Sequence, residues 1–201
     1  MPYTKSHKAR TRARIVESAA RAYREHGVEG VGIADIMRDA GLTHGGFYAH
    51  FPNKDALLAE ATQRGLAETR EEFLAGAVAA SPDAPLREII RRYVSRSHRD
   101  DAAGGCAMPA LAGELAREPD EVRHAFTDAF EELASGIAAH CPGENPEARR
   151  DAALALTAGM VGAVALARAV DDPTLSDRIL LATRRFYTDI LTDIDSVHSR
   201  P

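Results

Sequence analysis

Apolar positions recur along this chain at helical spacing, and strand-like alternation is missing. Near the start, Ile15, Ala19, Ala22 and Tyr23 fall at i, i+4, i+7 and i+8 and give one apolar face. That periodicity predicts a helix from about Arg10, after a polar and mobile stretch 1–9, ending at Gly27 as a left-handed cap. A second short helix covers about 33–40 and stops at Gly41. A third starts behind Thr43, a good N-cap residue type, and must end before Pro52. Asn53 caps a long helix over about 54–80, which Ser81-Pro82-Asp83 breaks. Further helices are expected over about 85–98, 106–117, and from Pro119 to His140, with Val122, Phe126, Ala129, Phe130, Leu133 and Ile137 on one stripe. The last two differ in kind. Residues 147–170 are apolar nearly all round and so need burial on most of their surface. Residues 175–194 carry Ile179, Phe186, Tyr187 and Ile190 on one side. The expected fold is all-α, with about nine helices and no internal repeat.

Composition agrees with that pattern. Ala and Leu abound and Trp is absent, which favours helices over strands. The net charge of -5 hides an asymmetry: residues 1–54 hold nine Lys/Arg against five Asp/Glu, whereas 55–201 are acidic. A basic head on an acidic body points to an anionic partner for the head alone. Cys106 and Cys141 lie too far apart in sequence for a zinc site or a disulfide framework. The first fifteen residues have no apolar signal segment, and the longest uncharged stretch, 152–167, is sixteen residues, short of the ~20 a membrane span needs. A cytoplasmic location, no membrane and no cofactor are therefore expected.

The stretch GLTHGGFYAHFPNKDALL, 41–58, concentrates unusual residues. Phe47, Tyr48 and Phe51 fall within five positions of a chain with only six Phe and five Tyr, directly after Gly45 and Gly46. A short helix, a turn holding Gly41, and a second short helix make a helix-turn-helix pattern, whose second helix is the one offered to the DNA major groove. Phe47 and Phe51, four apart, suit the small core, and Tyr48 faces elsewhere with its hydroxyl available to a phosphate. Gly45 and Gly46 let the helix start approach a phosphate closely. The basic stretch Lys5, Lys8, Arg10, Arg12 and Arg14 adds phosphate contacts beside such a unit.

Residues 14–58 resemble the N-terminal DNA-binding domain of the TetR/AcrR family of transcriptional regulators, with about a dozen positions agreeing in type and spacing over 41–58. The resemblance implies a DNA-binding domain over 1–54 and a ligand-binding and dimerisation domain over 55–201. It implies a homodimer and a small-molecule inducer that lowers DNA affinity, so the expected function is a repressor that binds palindromic double-stranded operator DNA; a thiol-reactive signal is the alternative that Cys106 raises. Carried over by position, Thr43, His44, Gly46, Tyr48, His50 and Lys54 would contact DNA, and Arg10 and Thr11 its backbone. Two positions depart from the pattern. Gly32 stands where a hydroxyl N-cap is usual, and Gly46 and Ala49 stand where base-reading side chains are usual, so shape and phosphate contacts would carry more of the specificity.

Beyond the head, Gly159, Gly162 and Ala163 allow close helix approach and, with Phe186, Tyr187 and Ile190, are the expected dimer interface, two helices per subunit. Phe73, Tyr93, Phe126 and Phe130 are candidate ligand-pocket walls, and His98 and Thr157 candidate polar groups. Cys106 follows two glycines and precedes a predicted helix, a setting that lowers a thiol pKa when the thiol is accessible, which makes it a candidate sensor; the competing reading is an inert buried cysteine. His-Arg-Asp at 98–100 echoes a kinase catalytic loop, but none of the accompanying kinase elements is present. No catalysis is therefore expected. The two rival readings are a helical binding or scaffold protein that does not touch DNA, and a helical enzyme using His98, Asp100 or Cys106.

Overall fold

The computed structural model describes residues 5–198. It is helical throughout: α1 Lys5–His26, α2 Ile33–Asp39, a 3-10 helix His44–Ala49, α3 Lys54–Thr69, a π-helical segment Arg70–Ala75, α4 Gly76–Ala80, α5 Pro85–Tyr93, α6 Arg96–Asp100, α7 Met108–Leu115, α8 Asp120–Ala138, α9 Pro146–Ala169 and α10 Pro173–His198. No strand occurs among the described residues. The count exceeds the expected nine because two expected helices are interrupted. The rod expected over 54–80 passes through the π segment, and the one expected over 85–98 breaks after Tyr93 into α5 and α6. The first helix begins at Lys5, so the polar stretch expected before Arg10 is helical from there; residues 1–4 lie outside the described residues.

Two compact units make up the chain, one of residues 1–68 with 102–130, the other of 69–101 with 131–201. In the first, α1 buries Ile15, Ala19 and Tyr23, the face that the sequence spacing marked, against Ile36, Met37, Phe47, Phe51, Leu57 and Leu58. Leu111, Leu115 and Val122 from α7 and α8 complete this core. Gly27 closes α1 at φ +77, with its N–H donating to Tyr23 O at 2.9 Å. An L side chain there would be strained and would also press on the Glu114 carboxylate. Gly41, at φ +69, makes the turn after α2. Asn53 caps α3 as expected, its Oδ1 accepting the Ala56 N–H at 2.8 Å.

In the second unit α9 packs on α10 and α4 on α5. Asn145 caps α9, accepting the Ala148 N–H at 2.9 Å, with Pro146 at its first turn. α9 is long and apolar enough by length and composition to cross a bilayer. Here it buries Ala153, Leu156, Met160, Val164 and Ala167, but only 39% of its most apolar stretch is buried, so the burial on most of its surface that the sequence calls for is not met within the chain. At its other end Arg168 donates to the carbonyls of His98 at 2.7 Å and Arg99 at 2.9 Å, satisfying acceptors that the end of α6 would leave unpaired.

Candidate nucleic-acid interface

The head is assembled by side chains that reach back to backbone. Arg12 donates to His50 O and to the Glu60 carboxylate at 2.5 Å, and its guanidinium lies 3.9 Å from the Phe51 ring centroid. Arg14 donates to Ala40 O. Ser18 O–H donates to the Asp39 carboxylate at 2.6 Å, with Ile36 O a second acceptor within reach at 3.1 Å. These contacts fix α1 against α2 and the 3-10 helix. They also commit two of the five N-terminal cations to the fold itself. Lys8 and Arg10 are exposed.

The second helix of the helix-turn-helix is a 3-10 helix of six residues, tighter and shorter than the sequence led us to expect. Two successive glycines give an α-helix little support, and Pro52 ends the segment. Phe47 and Phe51 are buried and stack at 5.7 Å, and Phe47 meets the Tyr48 ring edge at 5.2 Å. Tyr48 itself is 65% exposed. Thr43, His44, Gly45 and Ala49 are exposed around it, and Gly46 is half-buried. The two core aromatics thus hold a short ridge whose outer edge presents His44 and Tyr48 to solvent.

Several expected DNA contacts sit differently. Thr43 has the extended backbone of an N-cap, but its side chain makes no capping hydrogen bond. Thr11 is 6% exposed and so is buried, whereas Arg10 beside it is exposed. Lys54 Nζ donates to Val28 O at 2.7 Å and lies 5.8 Å from the Tyr23 ring, which makes it a tie between α3 and the loop after α1 as much as a surface cation. His50 is half-buried, and its Nδ1 is buried without a hydrogen-bond partner. Burial, then the charges of Lys8 and Arg12, push its pKa below the usual histidine range, so at neutral pH it offers an N–H but no charge.

The candidate ligand residues divide between the units. Phe73, Tyr93 and His98 meet in the second: Phe73 is 5.2 Å from Tyr93 and 4.6 Å from His98, and Tyr93 is 4.5 Å from His98. His98 is buried, and Nδ1 faces Tyr93 O at 2.7 Å, so Nδ1 carries the proton and the ring is neutral. Burial is the chief cause that lowers its pKa to about 4. Thr157 is buried in the same unit but spends its hydroxyl on Ala153 O, one turn back in its own helix. Phe126, Phe130 and Cys106 belong to the first unit, where the two Phe rings stack at 6.0 Å. Cys106 is 0% exposed and accepts a weak bond from Met108 N–H, and α7 begins at Met108, not at the cysteine. A sensor thiol needs access, and Cys106 has none. Cys141 is buried too, its thiol pushed up to about 11 by desolvation. Of the rival enzyme's residues, two have partners within the second unit. Asp100 is held by Arg99 at 2.6 Å, His98 faces Tyr93, and Cys106 is in the other unit.

The expected interface residues split as well. Gly159 is needed inside the chain, because a Cβ there would collide with the Tyr187 hydroxyl, and Tyr187 O–H reaches Ala155 O at 3.4 Å. Ala163 is buried. A Cβ on Gly162 would meet nothing within 4 Å. Phe186 at 61% and Leu166 at 60% are exposed, as are Leu175 and Ile190. Leu166 had no place in the sequence expectation; it lies four residues beyond Gly162, on the same helical face.

Two family models cover most of the chain. "Bacterial regulatory proteins, tetR family" matches residues 15–61, and "Tetracyclin repressor-like, C-terminal domain" matches residues 83–183. Among similar proteins, the HTH-type transcriptional regulator TtgR of Pseudomonas putida is 43% identical over 70 residues, 35% of this chain and 33% of that protein. The probable acrEF/envCD operon repressor of Escherichia coli is 32% identical over 104 residues, 49% of this chain and 47% of that protein. The chain thus spans between a third and a half of the length of these relatives. The reduced form of E. coli NemR superposes with a TM-score of 0.72 at 16% identity, covering 90% of this chain and 97% of that one, a likeness of fold.

Proposed function

This chain belongs to the TetR family of bacterial regulatory proteins, a family of DNA-binding transcriptional regulators, and from that premise we propose that it is a cytoplasmic repressor that binds a palindromic operator as a homodimer. Residues 1–54 are the DNA-binding domain and 55–201 the ligand-binding and dimerisation domain. The observation that carries the reading is the ridge 43–50, where buried Phe47 and Phe51 support exposed His44 and Tyr48 on a head with an excess of basic residues. Tyr48 and His44 donate to phosphate or base edges, Gly45 and Gly46 let the ridge approach closely, and Lys8 and Arg10 neutralise backbone charge.

The dimer forms through the exposed apolar faces of α9 and α10, around Gly162, Leu166, Phe186 and Ile190. A small inducer acts at the ring cluster of Phe73, Tyr93 and His98, where an entering ligand must displace packed rings. It releases DNA only if it binds the released state more tightly than the DNA-bound one. Cys106, lacking access, is not assigned the signal. Binding of the protein to its own upstream intergenic DNA, followed by fluorescence anisotropy at two salt concentrations, tests the reading. Specific, salt-sensitive binding that weakens at least about tenfold in Tyr48→Ala supports it. Binding that ignores sequence, or that Tyr48→Ala leaves intact, refutes it.

A further inference from the structure

We propose that the second unit carries a binding groove for a small amphipathic anion, a carboxylate or phosphate monoester on a short apolar body, between α6 and α10. The groove encloses about 1020 Å³, at the upper end of small-molecule pockets, and is open to solvent. Its lining holds four arginines, Arg96, Arg178, Arg184 and Arg185, against one carboxylate, Asp177. This is conspicuous in a part of the chain whose overall balance is acidic.

The single carboxylate is already shared. Arg96 grips Asp177 through two bonds at 2.9 and 2.5 Å, and Arg99 reaches the same group at 2.8 Å. Those contacts hold the Asp177 carboxyl below the usual aspartate range, so it stays ionised and occupied. None of the ion pairs among the described residues involves Arg178, Arg184 or Arg185. Three guanidiniums lining one groove repel one another, and an anion relieves that repulsion. Guanidinium is the side chain best shaped to take a carboxylate or phosphate through two parallel bonds. The groove also has an apolar component. Val94 and Leu180 are buried beneath it and Leu181 is partly exposed in it. A bare inorganic ion would leave this part unused, and a neutral apolar molecule would leave the arginines uncompensated.

The groove is distinct from the surface we assign to dimerisation. On α10, Thr174, Asp177, Arg178, Leu181, Arg184 and Arg185 follow one another at helical spacing along the groove face, and Ala182, also in the lining, borders the apolar one. Leu175, Ile179, Phe186 and Ile190 fall at i, i+4, i+11 and i+15, along another face. Subunit association on the apolar face therefore leaves Asp177, Leu181 and Arg184, on the opposite side of the helix, open. Its chemistry stands whether or not the head binds DNA.

The test is direct titration of the full, reduced chain by calorimetry in low salt, with octanoate as probe, octan-1-ol as the tail without the charge, and sodium phosphate as the charge without the tail. Octanoate should bind with one site per chain, at least about tenfold tighter than either control, and Arg178→Gln with Arg185→Gln should weaken it at least about tenfold. Backbone amide shifts in the unaltered protein, read by NMR, should cluster at 94–97 and 174–185. This second readout keeps the test decisive if the double variant folds poorly. Absence of saturable binding, equal affinity for octanol, or shifts confined to the ring cluster of Phe73, Tyr93 and His98 would each overturn the proposal.

Discussion

Gly45 and Gly46 occupy the ridge without any need of the fold for them. Neither has the positive φ that sets Gly27, Gly41 and Gly143 apart. A Cβ at Gly45 would meet nothing within 4 Å, and one at Gly46 would make only ordinary contact with Thr43 and Met37. Glycine in a helical segment costs about 0.5–1 kcal/mol relative to alanine. What remains to favour it is close approach by a ligand. Gly45→Ala and Gly46→Ala should therefore leave chemical denaturation unchanged or shift it up by about 0.5 kcal/mol, while weakening operator binding at least about tenfold. Unchanged DNA affinity would return both glycines to the category of accidents. His98 supports a pH prediction. Its folded pKa, about 4, lies below the unfolded value. Between those two values the unfolded chain binds a proton that the native chain does not, so stability rises with pH across the window. The contribution is fully present above about pH 6.5 and is lost toward pH 4, by roughly 2–3 kcal/mol. An imidazole NMR titration should place the His98 midpoint near 4, and His98→Gln should flatten the acid limb of the stability curve. A midpoint near 6.5 would mean that the ring is not buried in solution. At this scale, residues whose fate depends on helical spacing were legible in the sequence. Phe47 and Phe51 are buried and Tyr48 exposed, as their spacing marked, although Phe51 lies beyond the end of the short helix at Ala49. Thr11, Lys54 and Cys106 were not legible, because burial and partners far along the chain decide them: Lys54 bonds a carbonyl 26 residues away.

Helix ends were legible wherever a cap residue acts locally. Gly27, Gly41 and Asn53 end or begin their elements as their side chains, or lack of one, require. Thr43 had the right type and backbone but makes no capping bond, because the 3-10 geometry after it already pairs Gly46 N–H with Thr43 O at 3.0 Å. The break between α5 and α6 had no Gly or Pro to announce it. There Ser95 caps α6 by accepting the His98 N–H at 3.2 Å, and His98 turns back to Tyr93 O, so a buried side chain sets the boundary. The π-helical segment 70–75 was equally silent in the sequence. It includes Phe73, which the wider turn carries against Tyr93 and His98. For α9, loss of the cap in Asn145→Ala should lower stability by about 1 kcal/mol, measured by urea denaturation with an unchanged m-value. No loss would show that Pro146 alone starts the helix.

At the level of the whole molecule, α9 and α10 expose more apolar surface than a lone subunit has reason to show. Leu166, Leu175, Phe186 and Ile190 are all on the outside. Leu166→Glu with Phe186→Glu should shift sedimentation from dimer to monomer at micromolar concentration and weaken operator binding, because one half-site contact lacks the second. A protein that stays dimeric after both changes uses another surface. The all-helical class, the head and its ridge were readable from periodicity and the 41–58 stretch. The grouping of residues 102–130 with the head was not, since it arises from long-range packing such as Leu111 and Leu115 joining the core of α1. The most direct test of the central claim starts from duplexes selected for binding to the dimer and measures affinity before and after five base pairs are inserted between the half-sites. Two recognition ridges related by a two-fold axis must meet half-sites about 34–36 Å apart on one face of the duplex, so the insertion should cost at least about a hundredfold in affinity. Equal affinity for both duplexes, or no selected sequence at all, would contradict a dimeric operator-binding repressor.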